Sequence, residues 1–61
     1  MGSFRYSVVL EWDETERLFV VTVPALSIGT YGETREEAIE KAKEAIAVTI
    51  VGLRELGQPI P

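Results

Sequence analysis

Residues 34–56 repeat their apolar side chains at helical spacing and carry a start signal at one end and a stop signal at the other. At about 100° per residue, Ala38, Ile39, Ala42, Ala45, Ile46, Thr49, Ile50, Leu53 and Leu56 share one broad arc. Thr34-Arg35-Glu36-Glu37 has the spacing of a capping box, in which the Thr hydroxyl accepts from the N–H three residues on and the Glu carboxylate reaches back. Gly57 fits the C-terminal cap, and Pro59 and Pro61 forbid continuation. This one helix takes more than a third of the 61 residues, so the chain before it must supply the surface its apolar arc covers. That leaves room for one small domain and excludes large cofactor-cradling folds.

The upstream residues alternate in polarity. Tyr6, Val8, Leu10 and Trp12 fall on one face and Arg5, Ser7, Val9 and Glu11 on the other, which predicts a half-buried strand over residues 4–12. Asp13-Glu14-Thr15-Glu16 suits a hairpin loop, and residues 17–23 form the second strand. With that loop, Trp12 faces Arg17, Leu10 faces Phe19, Val8 faces Val21 and Tyr6 faces Val23. A slip of one residue would set Glu11 opposite Phe19 on the apolar face. Pro24 lacks a donor and ends the strand or marks an edge. Ile28, Thr30 and Tyr31 supply a brief third strand, and residues 58–61 form an extended tail or a short edge strand. The expected fold is α+β, a small antiparallel three- to four-stranded sheet with one long helix on one face. Met1, Gly2 and Ser3 are tag-like, leaving residues 4–61 as a single domain.

Composition decides what can hold such a domain together. There is no Cys and no His, hence neither a disulfide framework nor a zinc knuckle. Below roughly 70–80 residues a lone core seldom supplies more than about 3–5 kcal/mol, so self-association as a dimer or tetramer is expected. On the helix face opposite the core arc, Glu37, Glu40, Lys41 and Glu44 give way to Ala47, Val48 and Val51. These three are the candidate oligomer interface, because a domain with one helix has nothing of its own to cover them. The plainer reading is ordinary surface exposure.

Six Lys and Arg against ten Asp and Glu give a net charge of -4, the wrong sign for tracking a phosphate backbone. Arg5, Arg17, Lys41, Lys43 and Arg54 are dispersed, so direct nucleic-acid binding is not expected. A charged partner would be basic, although the same charge also serves plain solubility. The apolar stretch at residues 46–53 is interrupted by Thr49 and Gly52 and falls far short of the ~20 residues of a membrane span. With no leader pattern and no Cys, a cytoplasmic address is expected.

With neither His nor Cys, a Ser-His-Asp or Cys-His triad is excluded. Glu11, Asp13, Glu14 and Glu16 are the densest acidic cluster, but a hairpin loop is where solvated acids normally sit; no catalytic residue, metal ligand or cofactor is assigned. Gly29 and Gly32 precede a helix, yet Glu33 and the missing Lys argue against a phosphate loop. What remains is surface. Glu11, Trp12, Asp13 and Glu14, together with Tyr31, are the candidate partner-binding residues, since exposed aromatics among charges are typical interface anchors.

Val23-Pro24-Ala25-Leu26, then Tyr31-Gly32-Glu33-Thr34-Arg35-Glu36-Glu37-Ala38 and an Ala-rich helix, then Gly57-Gln58-Pro59-Ile60-Pro61, resemble the HicB-like antitoxin domain over residues 4–61. The matching positions are Pro24, Leu26, Gly32, Thr34, Glu37 and Ala38. The loop Ser27-Ile28-Gly29 is shorter than the family's. The resemblance implies a β-β-β-α-(β) unit, a partial ribonuclease H-like fold without that enzyme's catalytic carboxylates. It also implies a partner: a HicA-like toxin, small and basic, that cleaves messenger RNA and is neutralised when its active surface is covered. The alternatives are an orphan homo-oligomeric structural or regulatory module, and a nuclease-like enzyme using Glu11 or Asp13.

Overall fold

A computed structural model describes residues 5–61; the tag-like residues 1–3 and the expected strand start at Phe4 lie outside the described residues. Strands β1 (Val9–Asp13), β2 (Leu18–Val23) and β3 (Ile28–Gly32) form one antiparallel sheet in the order β1-β2-β3, and helix α1 (Arg35–Glu55) follows. This is the α+β architecture the sequence predicts, in its three-stranded form. Residues 58–61 form no strand; instead the Tyr6 hydroxyl donates to the Pro61 carbonyl at 2.8 Å, which brings the tail back beside the start of the chain. Among the described residues no helix is long and apolar enough to cross a membrane.

The hairpin departs from the expected register by two residues. Trp12 pairs with Phe19, Leu10 with Val21 and Glu11 with Val20, and the ladder closes at Asp13 opposite Leu18. The loop is therefore residues 14–17. Asp13 builds it: its Oδ1 accepts from the N–H groups of Thr15 at 3.0 Å and Glu16 at 3.1 Å, and Arg17 turns the chain back at φ 56°. Side chains alternate with period 2, so a shift of two leaves every residue on its expected face while changing its partner. β1 also starts later than expected, at Val9. Pro24 has no N–H to offer, and Pro24–Leu26 coils into a 3-10 turn closed by the Ser27 N–H on the Pro24 carbonyl at 3.2 Å, so residues 5–7, which this register sets opposite that turn, have no strand partner.

The start and stop signals of α1 work as local hydrogen bonds. The Thr34 hydroxyl accepts from the Glu37 N–H at 3.1 Å, while the Glu37 carboxylate turns forward to Lys41 at 3.2 Å. At the other end Gly57, at φ 69°, lets its own N–H reach the Arg54 carbonyl and the Gln58 N–H reach the Leu53 carbonyl, a Schellman closure. Replacing Thr34 by alanine removes the N-terminal acceptor. We expect a loss of about 1 kcal/mol, read as a melting temperature about 4–8 °C lower by circular dichroism.

The core lies between α1 and strands β2 and β3. Val21, Val23, Ala38 and Ala42 are buried, with Leu10, Phe19 and Ile39 packed around them. The two helix alanines are small enough to bring α1 down onto the sheet, and Thr30 Oγ1 donates to the Ala38 carbonyl at 3.2 Å across the contact. Helix and sheet differ in length. The 21 residues of α1 span about 31 Å, against about 17–20 Å for strands of five or six residues, so roughly the last two turns overhang the sheet. Leu56, expected in the core arc, is 73% exposed for this reason. A groove of about 220 Å³ runs between α1 and the segment that precedes β1, over Tyr6, Val8, Val21, Ile39 and Ile46.

Candidate functional site

The tip of the β1-β2 hairpin gathers most of the expected partner-binding residues. Glu11, Trp12, Asp13 and Glu14 line one shallow depression of about 330 Å³, with Val20 as its floor. Each is held by a local cause. Glu11 and Asp13 are odd-numbered positions on β1 and so project from the sheet face away from the helix, beside Val20 and Leu18 of β2. Trp12 projects from the other face, at the edge of the sheet, with its ring centroid 4.8 Å from that of Phe19 and tilted by 59°. Its indole N–H turns outward and donates to Glu14 Oε2 at 2.6 Å. The Arg35 guanidinium lies 5.6 Å from the Phe19 centroid, so Trp12, Phe19 and Arg35 form a ladder that ties the tip to the start of the helix. Trp12 nonetheless stays 48% exposed.

Tyr31 is not in that cluster. It lies on β3, opposite Val20, in the cross-strand row Glu11, Val20, Tyr31 that spans roughly 10 Å at about 4.8 Å per strand. Its ring is 58% exposed and carries Lys41 Nζ 5.0 Å from its centroid. Lys41 also pairs with Glu37, so the cation near Tyr31 is itself neutralised. The surface is thus acidic at the tip and aromatic at the far side, with Val9, Leu18 and Val20 between them on the sheet face opposite α1. Those three are not among the partner-binding residues expected from the sequence. Their signal was present: Leu-Phe-Val-Val-Thr-Val in β2 is apolar on both faces, as a strand covered on both sides should be.

Chemically this surface can attract a partner and cover it. Asp13 spends its carboxylate on the loop N–H groups, and Glu14 spends its own on the Trp12 indole. Among the described residues no three acids come together in a way that could hold a metal ion. Glu11, Asp13, Glu14 and Glu16 instead make a concentrated negative field at one end of the molecule, of the kind that speeds encounter with a basic protein. The expected oligomer residues lie elsewhere. Ala47, Val48 and Val51 are exposed on the distal half of α1, as read from the sequence.

Comparison with known proteins bears on the whole of this unit. A curated relative, the UPF0150 protein Ta0767 of Thermoplasma acidophilum, is 40% identical over 58 residues, covering 93% of this chain and 83% of the relative. No solved structure matches the chain. The family model described as the HicB-like antitoxin of bacterial toxin-antitoxin systems matches residues 6–61, which takes in the hairpin, β3, the capped helix and the proline tail. By that match the chain belongs to the HicB-like antitoxin family.

Proposed function

We propose that this chain is the antitoxin of a toxin-antitoxin pair and neutralises a small basic HicA-like ribonuclease by lying over its active surface. The observation that carries the reading is the hairpin tip, where Glu11, Asp13 and Glu14 surround a half-exposed Trp12 on a family-matched fold. An aromatic anchor ringed by charge of one sign suits a partner of the opposite sign, and it requires no reactive group. The chain's role is then non-enzymatic. It works in the cytoplasm, beside the messenger RNA its partner cuts, without binding nucleic acid itself.

The test is a titration. RNA cleavage by the HicA-like toxin is followed by gel while this protein is added, and cleavage should fall to zero near one chain per toxin. Binding should also weaken steeply between about 50 mM and 300 mM NaCl, because a charge-steered contact at an exposed tip is screened by salt. Toxin that keeps cutting at a tenfold excess of this chain contradicts the reading and favours an orphan module. RNA cut by this chain alone with Mg²⁺, and lost on Glu11→Gln, would make it an enzyme.

A further inference from the structure

The sheet face opposite α1 carries one apolar column with charge along one flank. Strand alternation sends Val9, Glu11 and Asp13 of β1, Leu18, Val20 and Thr22 of β2, and Gly29 and Tyr31 of β3 to that face. The register sets them in rows: Val9, Thr22 and Gly29, then Glu11, Val20 and Tyr31, then Asp13 and Leu18 at the tip. Leu18, Val20 and Thr22 thus run down the middle strand. Glu11 and Asp13 line one side of them and Tyr31 stands on the other, while Val9, 45% exposed, extends the apolar area at the end remote from the tip.

Charge gives the sign of what fits there. The three strands contain no Lys or Arg, and both of their acids, Glu11 and Asp13, lie on this face. Lys41 reaches the Tyr31 ring from α1, but Glu37 holds it in an ion pair. A basic surface is therefore met by attraction along the β1 side and by no free strand cation anywhere on the face. Width gives the shape. Three strands at about 4.8 Å spacing measure about 10 Å from β1 to β3, which a single α-helix of about 10–12 Å diameter fills alone. A second sheet would need apolar side chains spread over several strands, whereas a column one strand wide matches the apolar stripe of an amphipathic helix. The six residues of β2 extend about 20 Å, the length of about 13 helical residues.

We infer that this face receives a basic amphipathic helix of three to four turns from a partner protein, laid along β2. Its apolar stripe seats on Leu18, Val20 and Thr22, and its Lys or Arg flank lies over Glu11 and Asp13. The flank over Tyr31 needs no cation, so the partner helix is basic on one side of its stripe. Resting on the antitoxin reading of the adjoining hairpin tip, this names the element of the toxin that is held.

A labelled peptide of about 14 residues, with Leu at helical spacing and Lys on one flank, probes the face without any toxin. Fluorescence anisotropy should show saturable binding that Leu18→Thr with Val20→Thr weakens at least tenfold and Val48→Thr on α1 leaves unchanged. Threonine keeps the strand preference while removing apolar surface. A peptide of the same composition with Leu and Lys in strict alternation should also bind at least tenfold more weakly. Circular dichroism checks that the double variant folds; should it unfold, Tyr31→Ser, at a ring 58% exposed, serves in its place and should weaken the peptide about threefold. Equal binding by the folded threonine variant, or of the alternating peptide, overturns the inference. So does a wild-type chain that sediments at twice its 6.8 kDa mass and falls to the single mass in the threonine variant, because a second copy then occupies the face. The HicA-like toxin separates this inference from the antitoxin reading. A threonine variant that stops RNA cleavage as well as wild type sinks the helix and leaves the antitoxin, whereas a chain that takes the peptide on this face but never stops the toxin keeps the helix and sinks the antitoxin.

Discussion

Gly32→Ala should lower the melting temperature by on the order of 15 °C, the largest effect expected of any single methyl group added to this chain. The reason is a backbone-to-backbone approach. A Cβ on Gly32 would lie 2.6 Å from the Ala38 backbone nitrogen and 3.0 Å from both the Ala38 Cα and the Glu37 carbonyl carbon. None of these atoms can swing away as a flexible side chain could. β3 and the first turn of α1 must separate, which opens the layer where Ala38 and Ala42 are buried and strains the Thr30 bond to the Ala38 carbonyl. Overpacking of this kind costs about 3 kcal/mol. A 61-residue domain has only about 3–9 kcal/mol of stability in total. Gly29 on the same strand is the internal control: nothing lies within 4 Å of its Cβ position, so Gly29→Ala should melt within about 3 °C of the parent or slightly above it. If Gly32→Ala melts as high as Gly29→Ala, the close contact between β3 and α1 is wrong.

Glu11→Lys combined with Glu14→Lys should weaken binding to the proposed basic toxin by about 100-fold, or about 2.7 kcal/mol, with the fold unchanged. Each substitution changes the charge by two, taking the net charge from -4 to zero. Asp13 is left in place deliberately. Its carboxylate shapes the loop through Thr15 and Glu16, so replacing it would mix a folding effect with a binding effect. Glu11 and Glu14 are exposed; Glu14→Lys also removes the acceptor of the Trp12 indole N–H, while the Trp12 ring keeps its packing on Phe19. Most of the loss should appear as slower association at low salt and shrink as salt is raised, because exposed charges act chiefly through steering. Isothermal titration at two salt concentrations, with circular dichroism as the folding control, decides it. Unchanged affinity at low salt would move the contact away from the tip.

How much of this was legible beforehand varied by element, for physical reasons. α1 was read almost to the residue, since Thr34 and Gly57 act through bonds to their own neighbours and need no tertiary context. The faces of the hairpin were read correctly, since they follow from alternation alone. Its register was not. Whether Asp13 closes the ladder or opens the loop depends on a carboxylate bond to two loop N–H groups and on Arg17 accepting a left-handed backbone, neither of which polarity patterning encodes. Leu56 was assigned to the core because helical period says which side a residue faces but not where the opposing sheet stops. In the site, the acidic tip was visible as local composition. Tyr31 was grouped with it by residue type, and only the register shows it two strands away, beside Lys41.

Under the proposed function the toxin touches the hairpin tip. Hydrogen exchange of this chain, free and bound to the HicA-like toxin, reads that contact residue by residue on the intact complex. Protection should rise at residues 9–15, covering β1 and the start of the loop, and remain unchanged at residues 47–56. Added protection along the distal half of α1, with the hairpin tip exchanging as fast as in the free chain, would contradict it.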